Sequence, residues 1–577
     1  MSEALLARAR AWCDADPDPQ TRAELERLIE QQDEAELADR FRAELDFGTA
    51  GLRGAVGAGP ARMNRAVVMR AVRALAEHLL AKAPDARVLP VVVGYDARPQ
   101  SQEFAEAAAG VLLAAGLSVR WFEAPAPTPL VAYAARTCGA VAALVVTASH
   151  NPRGDNGLKV YGPDARQLVA PDDVDVARRR DSVGSAASIP CVDAPRVRAG
   201  QGSARLELVP DLLAARYLDE VEALLPPRRK APKLRVVYTP IHGVGRELAM
   251  HALARRGFVD VQVVAEQAEP DGTFPTAAFP NPELDGVLDL GLALAQQTNA
   301  DLLLANDPDA DRLAAAVRGS GGQLRVLSGN EIALLLADFV LSRVEASARA
   351  LLVTSVVSTP LLATLAAARG ARAEITLTGF KWIWHAARSL EAQGGLRYAF
   401  GCEEALGYSI GGVVRDKDGI SALLWLAELA EECRERGQTL QARLLELCER
   451  HGVWQSAQVS RENPPSTGAE LTRQQLDQLA QGELKVIVGL KVVAINDYRV
   501  GAEQRPPWLG SSALVELSLD GQSRVLVRPS GTEPKLKIYA DAHVTARAEE
   551  RLPDTVERAQ RLAKALAEEV AAWLGKV

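Results

Sequence analysis

The stretch AVAALVVTASHNP (140–152) runs from seven apolar residues straight into a polar turn. An apolar run of that length, closed by turn-forming residues, reads as a buried strand. The preceding segments fit it. VLPVVVGYD (88–96) is a second strand, and a helical pattern over Gln102 to Ala115 lies between the two. Strand and helix alternate again at LRVVYTPIHG (234–243) with a helix from about Arg246, at ADLLLANDPDADR (300–312), and at ALLVTSVVS (350–358) with a helix after Pro360. Three such units predict repeated α/β domains.

The two ends of the chain differ from this middle. Before about Asp46, Leu5, Leu6, Trp12, Leu25, Leu28, Leu37 and Phe41 recur at helical spacing, which predicts an N-terminal helical segment. Toward the other end, Lys485 to Asn496, Ala513 to Leu519 and Arg524 to Tyr539 read as strands, and about Ala548 to Trp573 as one long helix. That combination predicts a separate α+β domain. Ser182–Pro190 and Glu462–Gly468, rich in Ser, Pro and Gly, read as loops or linkers. The domain boundaries expected are 1–210, 211–325, 326–465 and 466–577.

At 577 residues the chain is long for one binding module, and its 48% apolar and 24% charged content is that of a globular protein. The net charge of −8 argues against a nucleic-acid or anionic-membrane surface. The six cysteines form no CxxC pair and read as reduced thiols. With no signal-like leader and no membrane-length apolar run, the chain reads as soluble and cytoplasmic, a monomer by default, with small-molecule partners.

Four motifs carry chemistry. Thr147-Ala148-Ser149-His150-Asn151-Pro152 offers a hydroxyl at the end of a strand, where open α/β sheets bind ligands. Ser149 reads there as a nucleophile or as a helix cap. Asp307-Pro308-Asp309-Ala310-Asp311-Arg312 places three carboxylates at alternate positions, a spacing that lets an extended loop aim all three at one cation. Hard oxygen ligands suit Mg2+; a calcium loop would need Gly and Glu where Arg312 and Arg318 stand, and a solvated acidic turn is the plain alternative. Arg528-Pro529-Ser530-Gly531-Thr532-Glu533-Pro534-Lys535-Leu536-Lys537 brings a guanidinium, hydroxyls and a glycine together, which is what a phosphate cradle needs. Gly401-Cys402-Glu403-Glu404 offers two carboxylates to sugar hydroxyls or, equally, to solvent.

Further readings concern one arginine and two histidines. Arg53, in Phe47-Gly48-Thr49-Ala50-Gly51-Leu52-Arg53-Gly54, reads as an anion ligand from a tight loop or as part of a plain turn. His150, adjacent to Ser149, is expected to point elsewhere in a strand-like backbone, so no Ser-His-Asp triad is expected. His242 reads as a packed or helix-start residue rather than a catalyst, with a role in closing a cleft as the alternative.

Taken in order, FGTAGLRG, GYDAR (94–98), TASHNP, NGLKVYG (156–162), NDPDADR, LTGFKW (377–382), GCEEALGY (401–408), RDKDG (415–419) and RPSGTEPKLK resemble the α-D-phosphohexomutase superfamily, most closely its phosphoglucomutase-2-like branch. The resemblance spans about Phe47 to Tyr539. It implies four domains around a central cleft, three α/β and the last α+β. It implies that Ser149 is the phosphoserine, that Asp307, Asp309 and Asp311 hold Mg2+ against it, and that Arg53, His150, Lys159 and Arg312 line the transfer site. Glu403, with Thr378 and Gly379, would read sugar hydroxyls; Lys417 would lie near the non-reacting phosphate; Arg528, Ser530, Gly531, Thr532 and Lys537 would hold that phosphate. Ala405 stands where the family commonly has serine, which removes a hydroxyl from the sugar loop.

The activity so implied is interconversion of glucose 1-phosphate and glucose 6-phosphate through a 1,6-bisphosphate. Phosphomannomutase, phosphopentomutase and bisphosphate synthase activities are the alternatives within the family. A metal-dependent sugar phosphatase and a non-catalytic sugar-phosphate binder are the alternatives outside it. Lys159 is expected to act as the general base, its pKa lowered by neighbouring cations and partial burial, or else only to steer phosphate.

Overall fold

The computed structural model describes residues 2–48, 51–199, 205–228, 230–319, 321–344, 347–463, 468–529 and 535–576. Ser530, Gly531 and Thr532 of the expected phosphate cradle therefore lie outside the described residues, as do Thr49 and Ala50. The chain divides into two compact units, Met1–Ala316 with Gly411–Leu424, and Val317–Ile410 with Trp425–Val577.

The first unit opens with helices Glu3–Ala15, Pro19–Glu30 and Glu34–Arg40, each started by a side-chain cap (Ser2, Asp18 and Asp33). Leu25, Leu28, Leu37 and Phe41, read from the sequence at helical spacing, close a small core between them together with Ala9 and Cys13. Beyond them lies a seven-stranded sheet in the order Phe47–Gly48, Gly51–Ala55, Asp155–Tyr161, Ala142–Val146, Pro90–Tyr95, Ser118–Trp121, Leu206–Leu208. Ala142–Val146 is central: it runs parallel to Pro90–Tyr95, antiparallel to Asp155–Tyr161, and is buried along its whole length. Helix Ser101–Ala114 packs over these strands.

Helix Thr128–Thr137 also lies on this sheet, and Gly94 allows it to sit close. A Cβ at Gly94 would meet Val131 Cγ2 at 2.5 Å, so any side chain would push the helix off the strand. In the same unit Leu302–Ala305, Val236–Thr239 and Val261–Val263 run parallel as neighbours, and the aspartate loop begins where Leu302–Ala305 ends.

In the second unit Arg372–Thr376, Ala350–Ser355 and Arg397–Glu403 run parallel, and Gly407–Ile410 is the antiparallel edge. The C-terminal sheet has six strands, all antiparallel, in the order Val453–Glu462, Lys535–Val544, Arg524–Pro529, Val515–Leu519, Leu490–Asp497, Val486–Ile487. Helix Leu552–Leu574 covers it, burying Ala563, Leu566, Ala567 and Val570 against Val525, Val527, Leu536 and Ile538. The strand expected over Lys485–Asn496 is two strands, broken at Val488 and Gly489, both of which have positive φ. Among the described residues no helix is long and apolar enough to cross a membrane.

Candidate active site

Ser149 follows the central strand at φ 53, a left-handed conformation that turns the chain out of the sheet and that non-glycine residues seldom adopt. Hydrogen bonds hold it there. Its amide donates to Thr147 Oγ1 at 2.8 Å, and Thr147 in turn donates to Asp96 Oδ2 at 2.6 Å. Arg98 closes the turn from beneath. Its buried guanidinium donates to the carbonyl oxygens of Ser149 (2.7 Å), Asn151 (2.6 Å), Pro152 (2.9 Å) and Asp155 (3.0 Å), and it lies over the Phe274 ring.

The Ser149 hydroxyl is 1% exposed and donates to Asp307 Oδ2 at 2.7 Å. Asp307, Asp309 and Asp311 are all fully buried, and one oxygen from each lies within 4.8 Å of the others. Their loop is tighter than the extended one anticipated: Ala310 has φ 57 and donates its amide to the Asp307 carbonyl at 2.8 Å. Gly419 packs directly on this turn, where a Cβ would lie 2.3 Å from the Arg312 carbonyl and 2.7 Å from that of Ala310. A larger residue there would displace the aspartates.

Lys159 is completely buried with Nζ 2.6 Å from both Asp309 Oδ2 and Asp311 Oδ2. Lys417 Nζ lies 3.1 Å from Asp311 Oδ2. Arg312 Nε stands 4.0 Å from Asp307 Oδ2 and 3.9 Å from Asp311 Oδ1, and Arg53 donates to Asn151 Oδ1 at 3.2 Å. Three buried acids are thus matched by several cations. Burial raises both Asp309 and Asp311; Asp309 stays raised, while Lys159, Lys417 and Arg312 hold Asp311 far below the usual carboxylate range.

The aspartates suit a divalent ion. Asp309 Oδ1 and Asp311 Oδ1 are buried and, among the described residues, accept no hydrogen bond, an arrangement that is costly unless a cation takes those lone pairs. Hard carboxylate oxygens of this kind fit Mg2+.

Three sequence expectations change here. Lys159 was expected to titrate low; burial does pull it down, but the two carboxylates in contact outweigh burial and raise it above its ordinary range, so it is an ammonium in this state. His150 was expected to point away from Ser149. The left-handed turn at Ser149 instead brings His150 Nδ1 to 3.1 Å from Ser149 Oγ. Burial, with Arg312 and Arg53 nearby, holds its imidazole well below its usual pKa and therefore neutral. There is still no triad, because Asp307 bonds the serine itself and lies 3.9 Å from the nitrogen that faces the serine. Lys417, expected beside the non-reacting phosphate, sits against Asp311 instead. Its loop is tied down by Arg415 on Asp164, by Tyr161 and Gln167 on Asp416, and by Tyr217 on Asp418.

The second unit gathers the remaining candidates. Glu403 Oε1 accepts from the Gly379 amide at 2.7 Å, with Gly379 at φ 114 and Thr378 half-buried just before it. Glu404 Oε2 accepts from Ser355 Oγ at 3.1 Å. Arg528 donates to Tyr539 Oη at 3.1 Å and stands directly across the ladder from Lys537. Burial works against the Arg528 cation, and Tyr539, Glu404 and Glu403 outweigh it. Two cations facing each other on adjacent strands repel unless an anion lies between them.

Sequence reasoning missed Arg98 and Thr128. GYDAR contains Arg98, but nothing in the motif reveals four carbonyl acceptors. Thr128, in a Thr-Pro helix start, donates to Asp309 Oδ2 at 2.6 Å across 181 residues of chain.

Strands ending in a strained serine beside a buried aspartate triplet, in a chain of repeated α/β domains, define a phosphoryl-transfer enzyme of the phosphosugar type. The family comparison is direct: the phosphoglucomutase/phosphomannomutase models match domain I at residues 44–183, domain II at 215–321, domain III at 328–451 and the C-terminal domain at 483–559. The chain belongs to the phosphoglucomutase/phosphomannomutase family, with its four-domain α/β fold, and is a phosphomutase, an isomerase-type phosphotransferase. It is 37% identical to a probable phosphomannomutase of Haemophilus influenzae, over 83% of this chain and 93% of that protein. It is 32% identical to a probable phosphoribomutase of Schizosaccharomyces pombe (97% and 96% covered) and 32% identical to a human glucose 1,6-bisphosphate synthase (92% and 88% covered).

Proposed function

We propose that the protein interconverts glucose 1-phosphate and glucose 6-phosphate through a phosphorylated Ser149 and a glucose 1,6-bisphosphate intermediate. The contact that carries this reading is the 2.7 Å hydrogen bond from the Ser149 hydroxyl to Asp307, within a buried triplet in which Asp309 Oδ1 and Asp311 Oδ1 accept no hydrogen bond among the described residues. The phosphoryl group on Ser149 Oγ passes to O6 of the 1-phosphate: the P–O bond to the serine breaks as the bond to O6 forms, and the proton lost by the O6 hydroxyl ends on the departing Ser149 oxygen. The bisphosphate then turns end for end. Its C1 phosphoryl returns to Ser149 and leaves the 6-phosphate.

Asp307, Asp309 and Asp311 would hold Mg2+, which supplies positive charge to the phosphoryl oxygens while negative charge spreads over them. Lys159, Lys417, Arg312 and Arg53 surround the same position with fixed cations that need no reorganisation during transfer. When Ser149 is the acceptor, Asp307 Oδ2 accepts the hydrogen bond of its hydroxyl at 2.7 Å and stands where the proton leaves. The neutral His150, in the tautomer protonated at Nε2, offers a second acceptor at 3.1 Å. At the other end of the substrate, Glu403, Thr378 and Gly379 would take sugar hydroxyls, and Arg528 and Lys537, with Ser530, Gly531 and Thr532, the idle phosphate.

The test is formation of glucose 6-phosphate from glucose 1-phosphate with inorganic phosphate followed in parallel. Isomerisation without phosphate release supports the mutase; release without isomerisation makes it a phosphatase, and neither makes it a binder. Since relatives are named for mannose, ribose and bisphosphate chemistry, kcat/KM for glucose, mannose, ribose and deoxyribose phosphates, measured side by side, ranks the sugars. A higher value for any of the other three replaces glucose as the substrate.

A further inference from the structure

Thr128 holds Asp309 at two points. Its hydroxyl donates to Oδ2 at 2.6 Å, and its amide donates to the Asp309 main-chain oxygen at 2.9 Å. Lys159 Nζ reaches the same Oδ2 at 2.6 Å and lies 3.5 Å from the threonine hydroxyl, so Oδ2 is fully engaged. Oδ1 is buried and, among the described residues, accepts no hydrogen bond. A carboxylate on an unrestrained side chain can rotate and exchange its two oxygens. This one is held by Oδ2, which leaves Oδ1 as the oxygen without a hydrogen-bond donor among the described residues.

The threonine is itself rigidly presented. It is fully buried, its β-branched side chain has few rotamers, and it is the first residue of helix Thr128–Thr137, where backbone amides have no partner within the helix. The helix spends one of those amides on Asp309, and Gly94 lets it lie close enough on the sheet to do so.

We propose that Thr128 is a positioning residue for the divalent ion: by holding Asp309 Oδ2 it presents Oδ1 to the cation and so sets metal affinity. This rests on the reading of the aspartate triplet as the cation site. Partners that orient a ligand carboxylate commonly change metal affinity by about 10–100-fold when removed.

Mn2+ binding to metal-free enzyme, followed by the electron paramagnetic resonance signal of free Mn2+, tests it without reference to turnover. Thr128→Val keeps the shape and the amide but loses the hydroxyl; Thr128→Ser keeps the hydroxyl. The valine variant should bind Mn2+ about 10-fold or more weakly, and the serine variant within about 3-fold of wild type. Thermal melts identify variants that fold, and Thr128→Ala replaces valine if valine does not. Wild-type affinity in the folded hydroxyl-free variant, or equal weakening in the serine variant, overturns the role of Thr128. Failure of the wild type to take up Mn2+, or unaltered uptake by Asp309→Ala, removes the cation site and this inference with it.

Discussion

Ser149 Oγ and Asp307 Oδ2 lie 2.7 Å apart although 158 residues separate them in the chain. The hydroxyl is therefore delivered to the aspartate loop by the fold, and one oxygen carries the proposed chemistry. Ser149→Ala should abolish mutase turnover, even with trace bisphosphate present, while costing only about 1 kcal/mol of stability for the lost hydrogen bond. Coupled assay and thermal unfolding of the same preparation check both halves; wild-type turnover in the variant would remove the phosphoserine.

Asp309→Ala deletes a carboxylate that faces Lys159 and, by the proposal, Mg2+. Turnover should fall by ~10³-fold or more, the scale of several kcal/mol of charge stabilisation, and cease to respond to added Mg2+. A Mg2+ titration after chelation of the wild type and variant measures it.

Arg98 gives four carbonyl oxygens of the serine turn one common donor. Arg98→Met keeps much of the bulk over Phe274 but removes the donors. We expect kcat to fall about 100-fold, the cost of a displacement near 1 Å at a reacting group, with KM little changed and the melting temperature lowered. Steady-state kinetics separate this from a simple loss of folded enzyme, which lowers apparent kcat only in proportion to the folded fraction.

Arg528→Ala removes the guanidinium opposite Lys537. If it holds the idle phosphate through charge-assisted bonds, KM should rise about 10–100-fold, the equivalent of ~1.5–3 kcal/mol, with the extent of Ser149 phosphorylation unaffected. Kinetics with phosphopeptide mass spectrometry check the split.

Cys402 precedes Glu403, and burial pushes its thiol from 9.0 up to about 12. The sign follows from the shift. Above pH 9 the unfolded chain releases this proton while the folded one keeps it, so stability falls as pH rises toward 12, by at most ~1.4 kcal/mol per pH unit. Denaturant unfolding between pH 8 and 10 should therefore show a shallower alkaline loss in Cys402→Ala than in wild type, at ~1 kcal/mol resolution.

Much of this architecture was legible because local pattern governs it. The central strand is an apolar run and is buried along its length; helix Ser101–Ala114 falls within one residue of the periodic pattern at Gln102–Ala115. Val453–Glu462 escaped notice because polar residues such as Gln455, Ser456, Gln458 and Ser460 alternate with only Val453, Trp454, Ala457 and Val459, and the strand is largely half-exposed. In the site, residue types were readable and partners were not. Spacing within NDPDADR suggests a cation, but it cannot reveal that Lys159, from another strand, bridges two of the aspartates and is thereby kept charged. Nor does a Ser-His dipeptide disclose the left-handed turn that folds the imidazole back on the hydroxyl.

The short stretch Gly411–Leu424 belongs to the first unit although the chain on either side of it belongs to the second. Dissecting this enzyme by truncation is therefore bound to fail in a particular way. A recombinant fragment ending at Ala316 would omit Lys417 and Gly419, stripping Asp311 of one ammonium and the aspartate turn of the backbone that seats it. Only a polypeptide that returns through position 419, or a fragment supplemented with that peptide in trans, keeps the site whole.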